Sequence, residues 1–229
     1  MTPFAQWLNT AFADFDRVIL EFYHDLASAA GPVFTPMAKI FEFIGEGALF
    51  CFVLAAILVL FSKTRKAGIC VAVSVGLAAL ITNVTIKNLV ARPRPYDSGV
   101  QEYLEWWEFV GGRGHHEYSF PSGHMTAAVA GMLALCLCLC IANKKHIWTV
   151  VPAVIYVTLM GASRNYLMMH YPTDIIGGLI SGAVGAILGY FLISLLYNKV
   201  LYAHKDNKIC EFMLYADIKN LFKSKETIW

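Results

Sequence analysis

Five uncharged apolar runs constrain this chain more than anything else in it: residues 47–62, 67–86, 125–143, 147–163 and 175–198. A spanning helix needs about 20 predominantly apolar residues, and in hydrocarbon every backbone polar group must be bonded within its own element. The runs predict an all-α polytopic membrane bundle of about five spanning helices. The shortest, 47–62, is lengthened on its N-terminal side by MAKIFEFIGE, residues 37–46. Only 15% of residues are charged and 58% are hydrophobic, whereas a soluble domain carries about 25% charged residues.

The two ends read differently. FAQWLNTAFADFDRVILEFYHDLASAAG, residues 4–31, mixes apolar and charged residues at helical spacing. That pattern predicts an amphipathic helix lying in the membrane interface. The first cation is Arg17, and no apolar stretch follows a basic start, so no secretory signal is expected. Residues 1–200 are expected to form one membrane domain, with a core at 40–195 and an outward loop at 92–120. Residues 201–229 are expected to form a cytoplasmic tail, amphipathic through ICEFMLYADIKNLF or disordered. The six cysteines lie in apolar runs or in the tail and form neither a disulfide framework nor a zinc-type spacing. The cysteines of CLCLC are two residues apart and point to different helix faces, which suits packing rather than metal binding.

Charge bias predicts orientation. SKTRK, NKKH and the group Lys199, Lys205 and Lys208 fall on one side of a five-span chain, which the positive-inside rule makes cytoplasmic. Asp14, Asp16, Glu21 and Asp25, residues 87–122 and the 164–174 turn fall on the other. The expected location is the cell (inner or plasma) membrane, with the site on the extracytoplasmic side. In the fifth run Gly178 and Gly182, then Gly185 and Gly189, are paired four apart with Ser181 close by. Small residues so spaced let backbones approach, by bundle packing or by dimerisation, so monomer and homodimer both stay open.

Three polar clusters gather on the outward side. The first is KNLVARPRPYD, with Lys87, Arg92 and Arg94 and with Pro93 and Pro95 ending the helix. Cations there run against the positive-inside bias. An anionic ligand accounts for them: arginine offers a planar fork to phosphate oxygens and lysine a point charge. The second is SFPSGHMTAAVAGM. Ser122 suits an N-cap, the free N–H groups of a helix start attract anions, and Gly123 lets the backbone come close. His124 then projects from the first turn, placed for acid–base work. The third is SRNYLMMHYPTD, where Arg164 closes a span and Pro172 breaks the chain before the next. Asp174 taken alone reads as a helix cap. With His170 four residues before it, the carboxylate also accepts from one ring nitrogen and leaves the other free to attack. Fixed cations, a helix start, two histidines and one carboxylate suit phosphoryl transfer without a metal. No metal and no cofactor is expected.

These residues resemble the type 2 phosphatidic acid phosphatases, the lipid phosphate phosphatase family related to vanadium haloperoxidases and bacterial acid phosphatases. The three-part signature reads Lys87 to Arg94-Pro95, then Pro121-Ser122-Gly123-His124, then Ser163-Arg164, His170 and Asp174. The likeness covers roughly residues 40–195. It implies that His170 is the nucleophile and forms a phosphohistidine, that Asp174 orients it, and that His124 is general acid and then base. It implies that Lys87, Arg94, Ser122, Gly123 and Arg164 hold the phosphate. Many membrane members have six spans, and this chain shows five with an amphipathic start.

The implied substrate is a lipid phosphate, such as phosphatidic acid, or a polyprenyl (undecaprenyl) diphosphate. Membrane lipids are the surroundings, and no nucleic acid is expected as a partner. Tyr103, Trp106, Trp107 and Phe109 suit an interfacial belt over the site, with glycines allowing a mobile lid. Arg113, His115 and His116 are set either to touch a second phosphate or to lie in a solvated loop. Three rival readings stand beside hydrolysis: a lipid-linked phosphotransferase on the same fold, a proton-coupled transporter, and a lipid-phosphate-binding protein without catalysis.

Overall fold

A computed structural model of the chain describes residues 1–114 and 117–218, and every regular element among them is helical. Helix α1 (Pro3–Ala11) starts with Thr2 accepting from Ala5 N and Pro3 at its first position. α2 (Ala13–Gly45) bends at Ala30, just before Pro32. Left-handed Gly47 and Ala48 then break the chain before α3 (Leu49–Val59). α4 (Ser62–Ala79) passes through a π-helical stretch, Leu80–Ile86, into α5 (Lys87–Val90). The remaining helices are α6 (Gln101–Phe109), α7 (Gly123–Ala142), α8 (Val150–Tyr166), α9 (Pro172–Leu196) and α10 (Lys208–Tyr215).

Among the described residues, five helical stretches are long and apolar enough to cross a membrane: Ala13–Val59, Ser62–Asp97, Gly123–Ala142, His146–Tyr166 and Pro172–Leu201. The five follow the expected runs in order, with run 47–62 forming the end of the first stretch. That stretch also includes most of the N-terminal segment expected at the interface, which is helical from Ala13 through Gly45. The extension by residues 37–46 is helical as well, but it ends α2 instead of leading straight into α3. Asp16 in the N-terminal segment is 2% exposed and paired, which the residue type alone does not reveal.

α4, α7 and α9 form the centre of the bundle, and the glycines of α9 make it possible. Gly178 and Gly182 face α7, where an added Cβ would stand 2.9 Å from Ser122 O and 2.6 Å from Thr126 O respectively. Gly185 and Gly189 face α4. Ser74 on α4 donates to Ala186 O at 3.4 Å across that contact. The stripe is thus consumed by packing within the chain. Gly189→Ala would put a Cβ 2.8 Å from Ser74 Cα and is expected to destabilise the bundle by about 1–3 kcal/mol, seen as a lower melting temperature in detergent. Gly76→Ala, with nothing within 4 Å, is expected to cause no loss.

The tail is anchored on the opposite end from the polar clusters. Arg65 donates to Val59 O and to the carbonyls of Phe212, Met213 and Ala216, while Asp217 caps α4 through Ser62. That ties α10 and residues 216–218 to the turn between α3 and α4.

Candidate active site

The turn from α8 into α9 is buried throughout, from Leu167 to Tyr171. Met168 takes a left-handed φ of 55°, which reverses the chain within a few residues. Met169 N donates to Arg164 O at 3.0 Å, and Asn165 Nδ2 to His170 O at 3.0 Å. The backbone that carries His170 is therefore held independently of its ring. Pro172 opens α9, and Asp174 accepts from Tyr171 N at 2.9 Å, so the cap expected of it is present.

The same carboxylate faces the ring. His170 Nδ1 stands 3.6 Å from Asp174 Oδ2 and 3.4 Å from Ser119 Oγ, and Ser119 also donates to that Oδ2. This arrangement suits a proton on Nδ1 and leaves Nε2 to the cavity, where Arg94 Nη1 lies 3.4 Å away. Arg94 is itself pinned, with Nε donating to Glu117 O at 2.9 Å and Nη1 to Met169 O at 3.1 Å. Burial pushes the His170 imidazole well below its usual range, and the charges of Arg94, Lys87 and Arg164 push it the same way. The ring is neutral at pH 7, as a nucleophile must be.

A cavity of about 280 Å³ brings Lys87, Arg94, Gly123, His124, Arg164 and His170 onto one wall system. Phe52, Val75, Ala79 and Ala127 line it as well and give it an apolar part. Gly123 earns its place through closeness: a Cβ there would lie 3.7 Å from Lys87 Nζ and 3.3 Å from Asn83 Oδ1. Two of the expected residues stand behind the wall. Ser122 is fully buried, caps α7 by accepting from Met125 N, and donates its own N–H to Asp174 O at 3.0 Å. Asp174 reaches the cavity only through His170.

Acidic residues that the sequence did not single out accompany the cations. Glu117 pairs with Lys87, Glu42 stands 3.6 Å from Arg164 Nη1, and Glu46 stands 3.9 Å from His124 Nε2. Glu42 and Glu46 come from the end of α2 and the break after it, far in sequence from any motif. Arg92, grouped with Lys87 and Arg94 as an anion ligand, does something else. It is buried and bonded to Asp16, Asp174, Thr173 and Asn9. The aromatic segment is also placed otherwise than expected. Tyr103 and Trp106 on α6 are buried against Leu20, Met168 and Tyr171, and Trp107 stacks on Tyr96 at 4.6 Å. None of the four aromatics named for a belt lines the cavity. His115 and His116 lie outside the described residues.

The described residues thus form a helical bundle of membrane-length stretches with a buried, oriented histidine among fixed cations at one end. Residues 67–201 match the model of the PAP2 superfamily, and the chain belongs to that superfamily. It is 31% identical over 154 residues to undecaprenyl-diphosphatase BcrC of Bacillus subtilis, covering 66% of this chain and 71% of that protein. It is 30% identical over 128 residues to an undecaprenyl-diphosphatase of Sulfolobus acidocaldarius, covering 56% of each. It is 34% identical over 150 residues to a lipid A 4'-phosphatase of Porphyromonas gingivalis, covering 62% of this chain and 56% of that protein. The chain thus spans just over half the length of the last two. Among solved structures it resembles a transmembrane PAP2 type phosphatidylglycerolphosphate phosphatase from Bacillus subtilis. The TM-score is 0.61 at 22% identity, over 86% of this chain and 92% of that one. At that identity the likeness is one of fold.

Proposed function

We propose that this protein is a membrane phosphatase hydrolysing a lipid-linked phosphate, with polyprenyl (undecaprenyl) diphosphate as first candidate, at the extracytoplasmic face. One observation carries the reading: His170 Nε2 opens onto a cavity shared with Lys87, Arg94, Arg164 and His124, while Nδ1 is held by Asp174 and Ser119. The basic loops on the opposite side support the orientation. The apolar lining suits a lipid tail beside the phosphate.

In this reading Nε2 attacks phosphorus, the P–N bond forms, and the bond to the leaving oxygen breaks. His124 gives that oxygen its proton. Water, deprotonated by His124, then attacks the phosphohistidine and releases inorganic phosphate with His170 restored. Lys87, Arg94, Arg164 and the Gly123 amide neutralise charge on the equatorial oxygens, the task that metal ions perform in other phosphoryl-transfer enzymes. Residues 1–200 act as one catalytic domain.

The test is phosphate release by purified protein from undecaprenyl diphosphate, phosphatidylglycerophosphate, phosphatidic acid and lipid A, with and without EDTA. Release that EDTA leaves intact is expected; loss in EDTA rejects the metal-free route. Transfer of phosphate to an added lipid or sugar in place of water identifies a phosphotransferase. The acid limb of kcat/KM, which reports the free enzyme, is expected well below the ordinary histidine value of 6.5 because protonation of buried His170 is suppressed. A limb at or above 6.5 rejects His170 as the titrating nucleophile.

A further inference from the structure

Asp16 belongs to neither the three motifs nor the cavity wall, and it lies outside the matched residues 67–201. Yet it is 2% exposed, while Asp14, Glu21 and Asp25 on the same helix are exposed. A carboxylate buried so completely needs partners, and all of those seen come from the site. Oδ1 accepts from Thr173 N at 2.9 Å, and Oδ2 accepts from Thr173 Oγ1 and Arg92 Nη2, both at 2.8 Å. Thr173 is the second residue of α9, so α2 delivers a cap to the helix that carries Asp174. Arg92 completes the link by donating Nη1 to Asp174 Oδ1 at 2.7 Å, on the side of the carboxylate away from His170.

We infer that Asp16 is a positioning residue for catalysis, acting through Arg92 and Thr173 to set the placement and effective charge of Asp174 and hence the aim of His170. The inference rests on the hydrolase reading. One guanidinium shared between two carboxylates leaves net negative charge behind His170. With Asp16 gone, the full charge of Arg92 bears on Asp174, which then holds the Nδ1 proton less strongly. The first turn of α9 also loses its cap, so Asp174 and Nε2 drift from their alignment with the cavity. The charged groups facing this network are Arg92 and Asp174, with Arg94, Lys87 and Arg164 around His170. Tyr103 faces Asp16 from α6.

A structural staple and a positioning residue differ in what they change. Asp16→Asn in the full chain is expected to lower kcat about 10–30-fold, the scale of one lost charge-assisted hydrogen bond. KM should be nearly unchanged, and the acid limb of kcat/KM should move to lower pH. Asp16→Glu, which keeps the charge, should return the limb to its wild-type position, and Asp14→Asn should change nothing. Wild-type kcat and pH profile in folded Asp16→Asn overturn the inference, even if its melting temperature falls. Should Asp16→Asn not fold, Thr173→Val loosens Asp16 without removing its charge; an unchanged kcat there also overturns it. Should the wild-type protein release no phosphate from any lipid, the hydrolase reading fails separately. The positioning is then read from the rate at which diethyl pyrocarbonate modifies His170, followed by mass spectrometry. A several-fold slower rate in Asp16→Asn supports the link, and equal rates reject it.

Discussion

His170→Ala is expected to lower phosphate release by about 100,000-fold, the scale on which removal of an enzymatic nucleophile acts. The loss should be chemical, not structural. The backbone around position 170 is fixed by Asn165 Nδ2 on His170 O and by Met169 N on Arg164 O. Arg94 keeps its bonds to Glu117 O and Met169 O without the ring. The cations should therefore still bind phosphate, and KM should move far less than kcat. A leaving-group comparison sharpens the case. His124→Ala removes the proton donor, so a nitrophenolate leaving group should restore formation of the phosphohistidine, seen as a burst of nitrophenolate, while the later attack of water stays slow. His170→Ala should remain inactive on both substrates, since no leaving group replaces an absent nucleophile. Acid quench of the wild-type enzyme with labelled substrate should trap an acid-labile phosphoenzyme that His170→Ala lacks. Turnover of His170→Ala within a hundredfold of wild type would sink the assignment.

The sequence made local features legible and left distant pairings hidden. The apolar runs mark all five spans because hydrocarbon demands length and absence of charge, both of which are readable residue by residue. Ser122 as a cap, the proline stops around Arg94, and the four-residue step from His170 to Asp174 are short-range geometry. Lys87, Arg94, Gly123, His124, Arg164 and His170, all named from the sequence, line one cavity, whereas Glu46 and Glu117 line it without a sequence signal. What was not foreseen depends on chain segments far apart. Arg92 and Asp16 are separated by 76 positions, and nothing local tells a paired buried carboxylate from one at the membrane surface. The same holds for Glu42 and Glu46, whose partners lie on α8 and α7. Ser119 is a lesser miss, since it sits just upstream of Pro121-Ser122-Gly123-His124; only its contact with Asp174 reveals a purpose. The left-handed pair at Gly47 and Ala48 had no signal beyond the glycine itself.

Arg92 is the residue whose loss should most damage the fold. Every nitrogen of its guanidinium is engaged: Nε with Asn9 Oδ1 at 2.7 Å, Nη1 with Thr173 Oγ1 and Asp174 Oδ1 at 2.7 Å each, and Nη2 with Asp16 Oδ2 at 2.8 Å. Its Cζ lies over the Tyr171 ring, 3.8 Å from the ring centre. Arg92→Ala strands two buried carboxylates at once, and breaking a buried ion pair from one side costs about 3–5 kcal/mol. The expected result is a drop of about 10 °C in the melting temperature measured in detergent, together with lost activity even where the protein stays folded. Arg92→Lys should rescue little, because an ammonium on a flexible stem cannot serve acceptors on three sides or stack on a ring. Arg17 supplies the contrast: its pair with Glu102, at 3.3 Å, is solvent-exposed, so Arg17→Ala should shift stability by no more than about 1 kcal/mol. A melting temperature for Arg92→Ala as close to wild type as that of Arg17→Ala would mean that the two carboxylates are hydrated or protonated, and that α2 is not clamped to the site by charge.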